Sequence, residues 1–582
     1  MRSFFKMFFA SLLSIVVFFV LCIFVLIAAV ARLTTKDQPD IRSKSILVIN
    51  LSETFHERKQ DNPLGALSGT GDSPGLYDVI RLVKNAKDDD DISGIYIEGD
   101  ANSNGFASSN ELRNAILDFR KSKKFVIAYG DMISQGSYFV ASAADRIYVN
   151  PQGAFEWKGY AITLVFVKEM LDRLDIQPQI FYAGKFKSAT EMFRTSQMTP
   201  ENRLQTTVWL NELYNYFLVQ TGASRNIDTA TLHKLASAAA IQTPEDAVRE
   251  HLIDGVKYDD EIKAEFKQRL NIGKTDKLNL VPVNKYFESV YMKRSGRDRI
   301  AVIYAEGNIV DGMGSNDNIG GDNYIRIIRK ARLDNSVKAI VLRVNSGGGS
   351  ALASEKIWRE LHMARQDGKP VVVSFGDVAA SGGYYISCGA DSIFSSPNTI
   401  TGSIGVFGII PNMSGFFKNK LGITFDGVKT APYADAGAIY RPMNDIEKKQ
   451  AQSSVDRIYM QFKQRVAEGR KKDTAYIDSI AQGRVWSGSD AIRIGLVDRI
   501  GSLHDAIRSA AAMAKVSTFG LKEYPETGSW LDDLLQRKKD EPEALIREQV
   551  GENQYKLFRE ILRIKEMTQS IQTRMPFEFY IQ

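Results

Sequence analysis

Three short segments hold the residue types from which nucleophilic chemistry can be built. In Gly376-Asp-Val-Ala-Ala-Ser-Gly-Gly-Tyr-Tyr385 a buried-strand pattern ends at Phe375, small residues follow, and an apolar helix is expected from Tyr384 to Cys388. Ser381 therefore falls where a strand turns into a helix, and the N–H groups at a helix start are unpaired and point at whatever sits there. An exposed hydroxyl, nearby donors for an oxyanion and a rigid platform are what an activated serine needs, and Gly382 adds no side chain to shield its N–H. The plainer role for such a serine is a helix N-cap. Val344-Asn-Ser-Gly-Gly-Gly-Ser350 follows another buried strand. Its glycines can bring N–H groups close to a ligand, as in an oxyanion hole shared with Gly382, although the string alone also fits an ordinary strand–helix turn. Gly184-Lys-Phe-Lys-Ser-Ala189 supplies a base, with Lys187 or Lys185 as the choices. A solvated surface lysine is the common alternative. Free lysine has a pKa near ~10.4, and bringing it to about 7 by burial costs about 4 kcal/mol of differential solvation.

The elements that must position these residues occur twice. Ile92–Asp100 resembles Val337–Asn345, Phe125–Asp131 resembles Val371–Asp377, and Asp246–Asp254 resembles Asp490–Asp498. Pairing Ile95 with Ile340, Gly130 with Gly376 and Asp254 with Asp498 gives spacings of 245, 246 and 244 residues. A near-constant spacing is the mark of an internal repeat. Each copy alternates Val/Ile-rich runs with helical periodicity, which points to an α/β fold with largely parallel sheets. In this register Ser381 aligns with Gln135, and Lys187 aligns with Thr430 or Ala431. The second copy keeps the serine and the first keeps the lysine, so one site shared between the copies is expected. The segments are residues 1–6, an anchor over 7–31, a linker over 32–42, the first repeat over 43–294, the second over 295–535, and a helical extension over 536–582.

Composition narrows the class. The 582 residues are 44% apolar and 25% charged with a net charge of +6, which is ordinary for a globular chain and gives no basis for nucleic-acid binding. Cys22 and Cys388 are far apart, so no internal disulfide is expected. There is no CxxC or HExxH string, so neither metal nor cofactor is implied. Met7 to Ala31 holds no charged residue and is long enough to span a bilayer core of about 30 Å. Ala29-Val30-Ala31 also fits a signal-peptide cleavage site, the lesser reading. Arg2 and Lys6 precede the span; Arg32, Lys36, Arg42 and Lys44 follow it, a count that by itself puts the large domain in the cytoplasm. Gly71-Asp-Ser-Pro-Gly75 fits G-x-S-x-G but has no strand before it; this loop and Asp311–Asn323 are expected to border the substrate groove.

Taken in order, Val-Asn-Ser-x-Gly-Gly-Ser, Ala-Ala-Ser-Gly-Gly-Tyr, Thr-Gly-Ser-Ile-Gly and Gly-x-x-Lys-Ser-Ala resemble the signal peptide peptidase A (protease IV) family in its long two-repeat form. The resemblance runs from the apolar span to about Leu535. It implies tandem crotonase-like or Clp-protease-like domains, an N-terminal transmembrane helix and a serine peptidase with a Ser–Lys dyad that degrades remnant signal peptides. It also implies a homotetramer, single-pass in the inner membrane, with its catalytic domains extracytoplasmic, against the charge count. By resemblance the nucleophile is Ser381, the base is Lys187, Ser403 hydrogen-bonds the lysine, and Gly382 and Gly348 form the oxyanion hole. Where the family has a proline in Asn-Ser-Pro-Gly-Gly, this chain has Gly347, which loosens the turn. A catalytically silent peptide-binding scaffold and a crotonase-type acyl-CoA enzyme are the alternatives.

Overall fold

The computed structural model describes residues 41–60, 72–290, 296–315, 317–526 and 571–575, with a few positions between 7 and 21. Among the described residues no helix is long and apolar enough to cross a membrane. Most of the 7–31 segment and of the 536–582 extension lies outside them.

The first repeat is built on a six-stranded sheet of β1 (Ser45–Asn50), β2 (Ile92–Glu98), β3 (Phe125–Ile133), β4 (Arg146–Phe155), β6 (Gly255–Val256) and β7 (Leu280–Pro282), in the order β6-β4-β3-β2-β1-β7. Every pairing in it is parallel. The second repeat repeats the plan with β8 (Arg299–Glu306), β11 (Val337–Ser346), β13 (Val371–Ala380), β14 (Ser392–Ser395), β15 (Ile400–Gly402), β17 (Val485–Ser487), β18 (Arg499–Ile500) and β19 (Gly520–Tyr524). Parallel strands covered by helices on both faces should read as unbroken apolar runs, and the centre of β11, Ala339 to Val344, is buried throughout. The expected α/β architecture with two like halves is what the chain adopts.

A third sheet joins the halves, in the order β10-β9-β12-β20-β16-β5. It takes β5 (Gln177–Ala183) from the first repeat, and β9 (Asn308–Val310), β10 (Asn318–Gly320), β12 (Gly348–Ser350) and β16 (Val406–Asn412) from the second. Its last member is β20 (Gln572–Arg574), a strand in the tail where helix was expected. β5 pairs antiparallel with β16 from Gln177↔Asn412 to Ala183↔Val406.

Two polar contacts, the first of them buried, lock the halves together. Arg343 in β11 reaches Glu57 and Glu111 of the first repeat, each at 2.8 Å. Burial pushes the Glu57 carboxyl up to about 7 against the pull of Arg343. Asp377, near the end of β13, accepts N–H bonds from Ala107 and Ser108 (2.8 and 2.9 Å) at the start of helix Phe106–Arg120. A carboxylate there satisfies unpaired amides and complements the helix dipole. The end of β13 before Ser381 is thus fixed by the other repeat.

Candidate active site

Ser381 sits at a strained corner. β13 ends at Ala380 and helix Gly382–Ser387 starts at once, two residues earlier than the apolar pattern suggested. Ser381 adopts φ 55° and ψ −113°, a region that costs a residue with a Cβ about 1–3 kcal/mol. The surroundings hold it there. Its N–H donates to Gly402 O and its carbonyl accepts from Tyr385 N–H, both at 2.8 Å. The two glycines that follow are required by close approach: a Cβ on Gly383 would come 2.5 Å from Ser346 O, and one on Gly382 would come 2.8 Å from Ser354 Oγ. The side chain of Ser381 does not cap its own helix. It meets Lys187 instead.

Lys187 Nζ lies 2.8 Å from Ser381 Oγ, 3.1 Å from Ser403 Oγ and 3.1 Å from Ser403 O. Lys187, Ser381 and Ser403 are each 0% exposed, so these contacts replace water entirely. The amine's partners here are hydroxyl and carbonyl oxygens rather than a carboxylate, and burial alone drives its pKa well below the usual lysine value. The contact set suits a neutral amine. Two N–H groups can donate to the carbonyl and hydroxyl oxygens of Ser403, leaving a lone pair aimed at the Ser381 hydroxyl. Such an amine can take the serine's proton. Lys185 is exposed, its Nζ 5.3 Å from the centre of the Phe186 ring.

Both halves position this lysine. It follows β5 and opens a short 3-10 turn, Ser188–Thr190. Phe186 N–H donates to Gln482 O at 2.8 Å. Gln205 Nε2 donates to Phe186 O (3.1 Å) and Ser188 Oγ (3.0 Å), and its Oε1 accepts from Val485 N–H (3.2 Å) in the second repeat. Gly405 and Gly483 leave the room it needs: a Cβ on Gly483 would come 2.7 Å from Lys187 Cα, and one on Gly405 would come 3.1 Å from Lys187 Cδ. Gln205 and Gly483 escaped the sequence reading. Gln205 sits within helix Pro200–Arg225, and nothing local distinguishes it from a surface glutamine.

The glycine string lies beside Ser381 as the buried strand β12, paired with β20. Gly348 has φ 99°, and a Cβ on it would crowd Gly382 N at 2.6 Å. Its own N–H donates to Ser346 Oγ at 3.1 Å. Along the β12–β20 pairing, Ala351 N–H donates to Ile571 O (3.2 Å) and Met575 N–H to Gly347 O (2.6 Å). These bonds lie two residues to either side of the pair Gly349↔Thr573, so antiparallel alternation turns the Gly349 amide toward β20. Gly347 makes one of these bonds through its carbonyl, which a proline would also have supplied.

The rival features lie elsewhere. Ser73 is exposed and bridges Gln60, with no strand-to-helix corner around it; Gly71 lies outside the described residues. The 311–323 loop carries β10, in the sheet of β12. His56 meets Glu306, and His504 meets Tyr77. Cys388 is a buried free thiol. Among the described residues no cluster of three His, Cys, Asp or Glu could hold a metal ion.

The pattern of peptidase family S49 matches residues 118–273 and again 363–517. "Protease 4" of Salmonella typhi is 36% identical over 498 residues, covering 84% of this chain and 79% of that protein. "Serine protease SPPA, chloroplastic" of Arabidopsis thaliana is 31% identical over 455 residues, 76% of this chain and 67% of that one. Among solved structures, ClpP1 from Listeria monocytogenes is 16% identical with a TM-score of 0.23, covering 35% of this chain and 94% of that one. The chain belongs to peptidase family S49, carries that domain twice, and is a serine peptidase.

Proposed function

We propose that this chain is a membrane-anchored endopeptidase that cleaves apolar peptides, remnant signal peptides among them, through a Ser381–Lys187 dyad. The observation that carries the reading is the 2.8 Å contact between Lys187 Nζ and Ser381 Oγ, from different repeats and fully buried. Neutral Lys187 takes the proton of Ser381, and the oxygen attacks the scissile carbonyl. Gly382 N–H and the glycine strand hold the oxyanion, with Gly349 better aimed than Gly348. Ser403 fixes the rotamer of the amine. The lysine then passes its proton to the leaving amine, and water clears the acyl-enzyme.

The anchor is the charge-free run of residues 7–31, which would hold residues 43–294 and 295–535 at the extracytoplasmic face of the inner membrane. Apolar substrates suit such a site, because they exclude the water that would recharge Lys187. A closed homotetramer fits the pseudo-symmetry. Within the chain β5 pairs with β16. Shifted by the 246-residue repeat, the counterparts of these strands are residues 423–429 and 160–166. Neither belongs to a strand, and Ile423, Phe425 and Val428 are exposed. Their pairing between neighbouring copies would be head-to-tail, the kind of contact that closes rings.

A serine-directed fluorophosphonate tests the reading. It should label the detergent-solubilised protein on Ser381, and the Ser381→Ala variant should neither label nor hydrolyse an apolar peptide. Hydrolysis by the variant at the wild-type rate would place the nucleophile elsewhere.

A further inference from the structure

The segment that carries the lysine leaves its sheet just before it. The β5–β16 ladder ends at Ala183↔Val406, so residues 184–188 lie beyond its last rung. The second repeat leaves a complementary gap. β17 is the edge of its sheet, and Ser403 N–H donates to Arg484 O at 2.7 Å, so antiparallel alternation turns the next amide, Val485 N–H, away from β15. A main-chain bond crosses between the two segments, from Phe186 N–H to Gln482 O at 2.8 Å. The next crossing is made by a side chain. Gln205 Oε1 accepts from Val485 N–H at 3.2 Å, and its Nε2 donates to Phe186 O at 3.1 Å. A carboxamide carries the donor and the acceptor of a peptide group on one plane, so Gln205 does here what a further rung of strand would do.

The orientation of this amide is dictated from both ends. Val485 N–H can only donate, which puts Oε1 there. On the other side the Glu191 carboxylate accepts from Thr199 Oγ1 (2.6 Å), Thr199 N–H (3.2 Å) and Asn202 Nδ2 (2.9 Å). With its Nδ2 engaged there, Asn202 turns its Oδ1 to Gln205 Nε2 at 3.2 Å, and Ser188 Oγ takes the same group at 3.0 Å. Glu191, Asn202 and Gln205 are at most 2% exposed, so no water competes for these bonds. Glu191 follows the turn Ser188–Thr190 that Lys187 opens, so the chain of bonds starts and ends on the lysine's own segment.

We infer that Gln205 is a positioning residue for the base: its carboxamide replaces a missing rung between the repeats and so sets the distance from Lys187 Nζ to Ser381 Oγ. The inference rests on the Ser381–Lys187 reading and adds to it the group that holds the two halves of the site in register. Two of its acceptors, Phe186 O and Ser188 Oγ, flank Lys187. Its donor partner Val485 follows directly on Arg484, whose carbonyl holds Ser403 N–H. One amide thereby grips the lysine on one side and the strand pair that leads to Ser403 on the other. Without it the repeats stay joined through Arg343 and Asp377. The base, however, is then free to shift, and a shift of about 1 Å can cost about 100-fold in rate.

Steady-state kinetics of the detergent-solubilised full chain on an apolar peptide, from about pH 6 to about pH 9, test this in Gln205→Met and Gln205→Glu. Methionine keeps the length and has no amide. Its kcat should fall about 10- to 100-fold with KM within about 2-fold, and fluorophosphonate labelling of Ser381 should slow in step. A protonated carboxyl has the shape of the amide, with one donor and one acceptor, and here it would lie among oxygens that favour the protonated form. Gln205→Glu should therefore keep kcat within about 5-fold of wild type near pH 6. Its kcat relative to wild type should fall as the pH rises and the carboxyl ionises, and the ratio for Gln205→Met should not. Gln135→Ala, a loss of buried bonds elsewhere in the first repeat, is the control: it should lower the unfolding temperature and leave kcat and its pH profile in place. A Gln205→Met enzyme with wild-type kcat would overturn the inference and leave the dyad standing. So would a Gln205→Glu enzyme as slow as Gln205→Met at the acid end of the range. A wild type that takes no fluorophosphonate removes the dyad and the inference together.

Discussion

The two repeats make the same corner and put it to different uses. Tyr138 and Tyr384 fix the register: each donates its hydroxyl to the carbonyl at the end of a matching loop, that of Leu252 and that of Leu496. One turn earlier, the first repeat has Gln135 and the second has Ser381. Gln135 is the first residue of helix Gln135–Ala141, and Ser134 before it is a relaxed N-cap with φ −70° whose side chain accepts from Ser137 N–H. Gln135 Oε1 accepts from Lys158 N–H (2.9 Å) and Gly159 N–H (3.0 Å), tying down a loop of its own repeat. In the second repeat the helix begins one position later in register, the corner moves to positive φ, and the serine side chain is freed from capping. The lysine segment shows the reverse difference. Lys187 is buried under glycines of the other half, while Thr430 is exposed. On the proposed Ser381–Lys187 reading, each copy keeps half of the site and gives the other position to structure.

The largest expected effect breaks this comparison at its centre. Ser381→Ala should lower kcat/KM by at least about 10⁴-fold with the fold intact, as removal of a nucleophile does. Gln135→Ser should create no second site, because Lys158 meets that corner through its main-chain N–H while its amine is exposed and paired with Glu156; a Ser381→Ala/Gln135→Ser double variant with measurable peptidase activity would contradict the asymmetry.

Lys187 comes next. Lys187→Arg should be as inactive as Lys187→Ala, since a guanidinium keeps its proton, and Lys185→Ala should stay within a few-fold of wild type. The wild-type kcat/KM should rise with pH along a single limb whose apparent pKa lies below that of free lysine, because only the neutral amine accepts a proton. The same burial has a stability sign. A lysine whose folded pKa is lowered must shed its proton to fold. That cost is absent above the unfolded value of about 10.4, grows as pH falls below it, and levels off below the folded value. The stability of wild type relative to Lys187→Met, read from denaturant midpoints, should therefore improve as pH rises from 7 toward 10. A flat difference would mean that the amine is charged in the folded protein.

Ser403→Ala removes one of the acceptors that orient the amine and leaves the carbonyl of residue 403 in place. A loss of about 10-fold in kcat is expected, the worth of one buried hydrogen bond. A loss as large as that of Ser381→Ala would make Ser403 a proton carrier rather than a positioning residue.

The smallest effect on activity belongs to the first repeat's corner. Gln135→Ala strands the N–H groups of Lys158 and Gly159 and should cost about 1–3 kcal/mol of stability, while kcat/KM changes by less than about 3-fold. Thermal unfolding and peptide hydrolysis measured on one preparation separate the two.

The sequence by itself determined the repeat, the parallel sheets and the family. Its apolar runs and Gly-Ser strings are local patterns, and local patterns survive in a one-dimensional reading. It also marked Ser381, because a strand, small residues and a helix in succession leave few places for a hydroxyl. What only the tertiary structure decided is whatever depends on partners far along the chain. Lys185 and Lys187 both lie in the turn that follows β5, and cover separates them: Lys185 is exposed, while Gly405 and Gly483, more than two hundred residues away, close over Lys187. Gly348 and Gly349 are alike as letters; the pairing with β20 separates them, because alternation in an antiparallel ladder turns one amide toward the neighbour and the next away. The strand at Gln572–Arg574 has no strong strand signal of its own. It forms because β12 and β16 present two edges between which an extended segment can satisfy its backbone.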